Sequence, residues 1–325
     1  IVLEVMGRSW ESGGPICLYG EKGTGRTSLA VELAHQLAPK YPDAQFYIDL
    51  QVEGDKPLPV SKAMGYVLRA FFPKEPIPND PAALAQQYGA ALKGKRVLML
   101  LENVNKPSQI KRLMPGKPGL MIFTSGNKIS ITGSYAKPVK ELFPDEAELL
   151  LFFLAPNSKR WAPEIIDLCG YSPLAISLTG SFLRATPEMS VDTLIRELRE
   201  ERQIMKPEGD FEEGEDKDKK EIVDRNVEPI FNVMFRDMRK ETATVFRKLA
   251  LFSGSFDEKA AANICGDRDG EHLGRLVFLG LLEHDVINKR YSFHEVIHKL
   301  IKAEVRPSEK ILTHRTLAFY YFDIL

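Results

Sequence analysis

The chain has 325 residues, 44% of them apolar and 27% charged, an ordinary globular composition with length for two or three separate cores. A formal net charge of -1 gives no overall field, which excludes charge-driven capture of nucleic acid or an anionic membrane; partners must be argued from local sites. Three cysteines, Cys17, Cys169 and Cys265, lie far apart in the sequence, which suits a reducing, cytoplasmic setting better than a disulfide framework or a metal site.

No run approaches the roughly 18 apolar residues of a membrane span, and no secretory signal pattern opens the chain. It begins at Ile1 instead of Met and its final apolar pattern stops in mid-helix, so it reads as a piece of something longer.

From Ile16 to about Ser125, short apolar runs alternate with amphipathic stretches, the rhythm of an α/β unit with a parallel sheet. "ICLYG", "QFYIDL", "RVLMLLE" and "GLMIFTS" predict strands. "TSLAVELAHQLA", "VSKAMGYVLRAFF" and "PAALAQQYGAALKG" predict the helices between them. The run "VLMLL" is continuously apolar because a parallel strand is buried on both faces.

The first strand leads into "GEKGTGRTS", residues Gly20 to Ser28, where Gly20, Gly25 and Thr27 hold the fixed places of G-x-x-x-x-G-K-[ST] and Gly23 adds another glycine. Glycines let backbone N–H groups turn inward as an anion nest, and the following helix offers its positive dipole end. The residues assigned to phosphate binding are Gly20, Gly23, Thr24, Gly25, Arg26, Thr27 and Ser28. Arg26 stands where the pattern has lysine, and its planar fork cannot replace a compact ammonium between two phosphates. Thr27 supplies a hydroxyl for Mg²⁺. Glu102, ending "VLMLLE", is the candidate acidic partner for Mg²⁺ and for catalysis, the other reading being a plain strand-end carboxyl. Asn103 follows it, where a water-activating carboxylate often sits.

After Leu142 the pattern turns helical through "PDEAELLLFFLA", "APEIIDLCG", "PLAISLTGSFLRA" and "SVDTLIRELREERQIM". Lys206 to Glu221 then holds eight acidic residues and four lysines, too polar for a core, and reads as a solvated linker. Beyond Asn226, helices at "VEPIFNVMFRDM", "ETATVFRKLALF", "DEKAAANIC" and "EHLGRLVFLGLLE" precede a two-stranded hairpin, which is the winged-helix order. "EVIHKLIKAEV" and "ILTHRTLAFYYFDIL" close the chain as helices.

In this order the motifs resemble the NB-ARC class of signal-transduction NTPases, called STAND, the nucleotide switches of plant innate-immune receptors, apoptosome proteins and bacterial regulators. "GLMIFTSGNK" is similar to its T-[ST]-R sensor, with Thr124 and Ser125 present and Gly126 in place of arginine. "CGYSPLAISLTGSFLR" resembles its G-L-P-L-A motif through Gly170, Pro173, Leu174 and Ala175. "YSFHEVIHKLI" resembles its M-H-D motif, keeping His294 with Glu295 for Asp.

The resemblance implies a P-loop domain over 1–140, a helical domain over 141–205, an acidic linker over 206–225, a winged-helix domain over 226–306 and, from 307 to 325, the start of a further helical, tetratricopeptide-like region. It also implies ADP or ATP with Mg²⁺ as ligands, Pro173 at the adenine, His294 at the β-phosphate, self-association on activation, and sensor and effector domains elsewhere. Taken by themselves, Pro173 also reads as a helix N1 residue and His294 as a packed core histidine.

Arg26, Glu102, Asn103 and Gly126 all depart from the pattern at the γ-phosphate end, so slow or absent ATPase activity is expected. A scaffold that has given up nucleotide is the alternative. Direct DNA binding is disfavoured, because "EHLGRLVFLGLLE" carries Arg275 as its one arginine or lysine.

Overall fold

The computed structural model describes residues 14–50, 57–205 and 224–322. The chain divides into two compact units, Ile1–Lys140 and Glu141–Leu325. Residues 206–223 of the acidic stretch, and residues 323–325, lie outside the described residues.

The first unit is built on a parallel sheet. Its strands are β1 (Ile16–Tyr19), β2 (Ala44–Asp49), β3 (Val97–Glu102), β4 (Leu120–Ser125) and β5 (Tyr135–Pro138), in the order β2-β3-β4-β1-β5. Helix α1 (Arg26–Leu37) follows β1, α2 (Val60–Phe71) and α3 (Pro81–Leu92) follow β2, and α4 (Pro107–Leu113) follows β3.

The apolar runs divide by parity. Leu98 and Leu100 of β3 pack with Ile16, Leu18, Ile122 and the buried face of α1, Ala30, Leu33 and Leu37. Met99 and Leu101 face the opposite side and pack with Cys17, Met121, Phe123, Met64, Leu68 and Leu92. Side chains alternate across a strand, so a continuous apolar run feeds two cores at once. The fifth strand and α4 are additions to the four strands and three helices that the sequence pattern announces. Strand β5 is four residues long, ends in Pro138 and pairs with β1 alone, and proline in a sheet belongs at an edge.

The second unit is helical: α5 (Pro144–Leu154), α6 (Ala162–Leu168), α7 (Pro173–Ala185), α8 (Val191–Ile204), α9 (Val227–Asp237), α10 (Lys240–Leu249), α11 (Glu258–Cys265) and α12 (Glu271–Phe278). Helix α12 ends before the sequence pattern does, because Gly280 takes φ 74° and breaks the helical run. A hairpin of β6 (Glu283–Asp285) and β7 (Arg290–Ser292) leads to α13 (Glu295–Ala303) and α14 (Pro307–Phe322).

One contiguous core runs through this unit. It includes Leu151, Ile165 and Leu194 from before residue 206 and Phe231, Phe246, Leu276 and Ile297 from after residue 223. Polar contacts join the same two segments: Glu201 accepts from Asn232 Nδ2 and Arg236 Nη1, each at 3.0 Å, and Arg202 Nη2 donates to Asn226 Oδ1 at 2.8 Å. No helix among the described residues is long and apolar enough to cross a membrane.

Candidate functional site

Strand β1 delivers the chain into Gly20, whose N–H donates to Ser125 O at 3.3 Å. A Cβ added at Gly20 would lie 2.1 Å from the carbonyl oxygen of Val139, so the position admits glycine alone. Gly23 and Gly25 take φ of 78° and 84°, the left-handed region that glycine enters without strain. Gly25 then accepts from Leu29 N–H at 2.9 Å and opens α1.

No side chain caps α1, and its first turn carries no acidic residue. The N–H groups of its first turn and the positive end of its dipole are therefore available to an anion seated in the loop. Arg26 is half-buried, while Thr27 and Ser28 are exposed on that turn. Thr24 has a different duty: it is buried and its Oγ1 donates to Glu21 O at 2.8 Å, closing the loop on itself.

Two strands over, at about 10 Å by ordinary strand spacing, β3 ends in Glu102. This carboxyl group is 6% exposed. Tyr47 of β2 donates its hydroxyl to Oε2, whereas Oε1 is buried without a hydrogen-bond partner among the described residues. Asn103 sits at φ 56°, its N–H donates to Thr124 Oγ1 at 3.2 Å, and its Nδ2 donates to Asp49 Oδ1 at 2.9 Å. The amide that replaces a second carboxylate is thus held by β2. Tyr47 and Asp49 are residues that sequence reasoning missed; only the pairing of β2 with β3 brings them to Glu102.

Strand β4 lies between β1 and β3 and ends in the buried Thr124 and Ser125. A Cβ at Gly126 would meet nothing within 4 Å. Neither steric crowding nor backbone geometry requires glycine there.

The other two predicted site residues belong to the second unit. Gly170 and Tyr171, both left-handed at φ 55° and 56°, lead into Ser172, whose Oγ accepts from Ala175 N–H at 3.4 Å. Pro173 is the first residue of α7. A Cβ on Gly170 would stand 2.3 Å from Asn226 Oδ1. His294 caps α13, with Nδ1 accepting from Val296 N–H at 3.3 Å. With Nδ1 an acceptor, the assigned tautomer carries its hydrogen on Nε2.

Burial disfavours the thiolate form at all three cysteines. All three are free and buried; burial pushes the Cys169 thiol up to about 11 and that of Cys265 up to about 12.

The chain aligns along 97% of its length, with a TM-score of 0.64 and 15% identity, to the crystal structure of a Signal Transduction ATPase with Numerous Domains (STAND) protein with a tetratricopeptide repeat sensor from Pyrococcus horikoshii, covering 44% of that chain. The fold is that of a STAND-class P-loop NTPase. No protein-family model matches the chain. The STAND fold accounts for the parallel sheet with its Gly-rich turn and for the helices that follow. In sequence, the chain is 30% identical over 306 residues to the regulatory protein AfsR of Streptomyces coelicolor, and 28% identical over 312 residues to AfsR of Streptomyces griseus. These alignments cover 90% and 92% of the chain and 29% and 31% of the relatives, so the chain spans about a third of their length.

The site suits Mg²⁺ with a phosphate ligand. Mg²⁺ takes oxygen ligands, keeps several waters and needs few protein donors. The exposed Thr27 hydroxyl and the buried, unpartnered Glu102 Oε1 are donors of that kind.

Proposed function

We propose that the chain is the nucleotide-dependent switch of a STAND regulatory protein. The observation that carries this is the loop Gly20 to Ser28, a glycine nest opening onto an uncapped helix with no acidic residue in its first turn. ADP or ATP binds there, with Thr27 toward Mg²⁺ and Glu102 Oε1 meeting the metal or one of its waters. Pro173 and His294, in a segment that we read as the helical and winged-helix domains, contact the adenine and the β-phosphate when the switch is closed. The open form self-associates. Because a ligand shifts an equilibrium only by its differential affinity, the His294 contact has to exist in the closed state alone.

Hydrolysis in this reading is slow or absent, since Asn103 is tied to Asp49 and Gly126 offers no cation to the γ-phosphate. The relatives named as regulatory proteins support a regulatory role; a cytoplasmic setting and sensor and effector segments elsewhere in the protein belong to the same proposal. Native mass spectrometry of the purified protein tests the reading: copurifying ADP or ATP supports it, and calorimetry showing no binding to ligand-stripped, folded protein at millimolar nucleotide refutes it. The second outcome would favour the scaffold reading, to which Gly126 already lends support.

A further inference from the structure

We propose that Tyr47 is a positioning residue that fixes the orientation of Glu102 toward the cation of a bound nucleotide. This rests on the Mg²⁺-nucleotide reading above.

Glutamate is one methylene longer than the aspartate usual at this place, and its extra torsion would let the carboxyl group sample several directions. The hydroxyl of Tyr47 removes that freedom by donating to Oε2. The other oxygen, Oε1, is left buried and unpartnered among the described residues. Such an oxygen carries a desolvation cost unless a donor or cation meets it. With Oε2 held by Tyr47, Oε1 keeps its acceptor capacity for a single contact to a cation or to one of its waters.

Packing does not explain Tyr47. It is 58% exposed and belongs to neither core of its unit. Its neighbour across β2 and β3 also matters: Asp49 stands in register with Glu102, and Asn103 Nδ2 occupies Asp49 Oδ1. Each of two adjacent carboxyl groups thus has its own neutral donor, and Glu102 Oε1 is buried without one among the described residues.

The test measures ADP affinity by calorimetry with Mg²⁺ and with a chelator in wild type, Tyr47→Phe, Glu102→Gln and the double variant. Tyr47→Phe keeps the exposed ring but removes the donor to a buried carboxyl oxygen, so its ligand-free melting temperature should fall modestly, and affinities are compared at a temperature where every variant is folded. Support requires that Tyr47→Phe reduce the Mg²⁺ enhancement of ADP binding roughly tenfold, leave metal-free affinity unchanged, and have no further effect once Glu102→Gln is present. An undiminished enhancement in Tyr47→Phe, or an equal loss in both backgrounds, overturns the proposal. Wild type that binds ADP equally with and without Mg²⁺ overturns this proposal while the nucleotide reading stands. Wild type that binds no ADP overturns both.

Discussion

Arg247 and Glu309 meet fork to fork: Nε donates to Oε2 and Nη2 to Oε1, each at 2.8 Å, so α14 is fastened to α10 by a bidentate pair. The hydrogen bond from Arg247 holds the Glu309 carboxyl below its ordinary range, burial opposing. A depressed carboxyl pKa stabilises the folded state above the unfolded value, about 4.3, and that contribution is lost as pH falls through the lower folded value. Amide exchange in α14 should therefore rise as pH drops from about 5 toward 3, after correction for intrinsic rates. Glu309→Gln should lower stability at pH 7 by about 1–2 kcal/mol and flatten the acid dependence.

Arg26 bears on ligand affinity directly. One charge-assisted phosphate contact is worth on the order of 1.5–3 kcal/mol, so Arg26→Ala should weaken ADP binding roughly tenfold or more. Arg26→Lys should retain binding. Titration calorimetry decides, and unchanged affinity in the alanine variant would place the side chain away from the phosphates.

For His294 the structure supplies a control. Its Nδ1 caps α13, and asparagine is itself a good N-cap, whereas alanine costs about 1 kcal/mol there. His294→Ala should lower the melting temperature, and His294→Asn should recover it. Both should shrink the ADP-induced rise in melting temperature, because neither donates to the diphosphate as the imidazole does. Full recovery of that rise in His294→Asn would assign the residue to capping alone.

A Cβ added at Gly126 would point into open space. Gly126→Arg should fold with stability within about 0.5 kcal/mol of wild type and favour ATP over ADP by roughly tenfold, measured by competition binding. Equal affinities for both nucleotides would separate this position from the γ-phosphate.

Legibility followed the range of the forces involved. Helix α7 begins at Pro173 and ends at Ala185, the bounds that "PLAISLTGSFLRA" announces, since its proline start and apolar period are local. The glycine turn between β1 and α1 was legible for the same reason: φ at Gly23 and Gly25 is a property of a few consecutive residues. Gly20 was read as a phosphate residue, yet its need for glycine comes from Val139, over a hundred positions away. The Tyr47 to Glu102 contact spans 55 residues and exists only because β2 lies beside β3, an order that no short pattern encodes. Strand β5 left too faint a signal, being half-exposed and four residues long.

The single core of the second unit changes what the acidic stretch can mean. Leu194 and Phe231 lie on opposite sides of residues 206–223 in sequence and in one apolar cluster in space. A protease cutting within that stretch would divide the covalent chain and leave the cluster whole. The two fragments would migrate apart in denaturing gels and elute together under native conditions, like the chains of a heterodimer that happens to be encoded once.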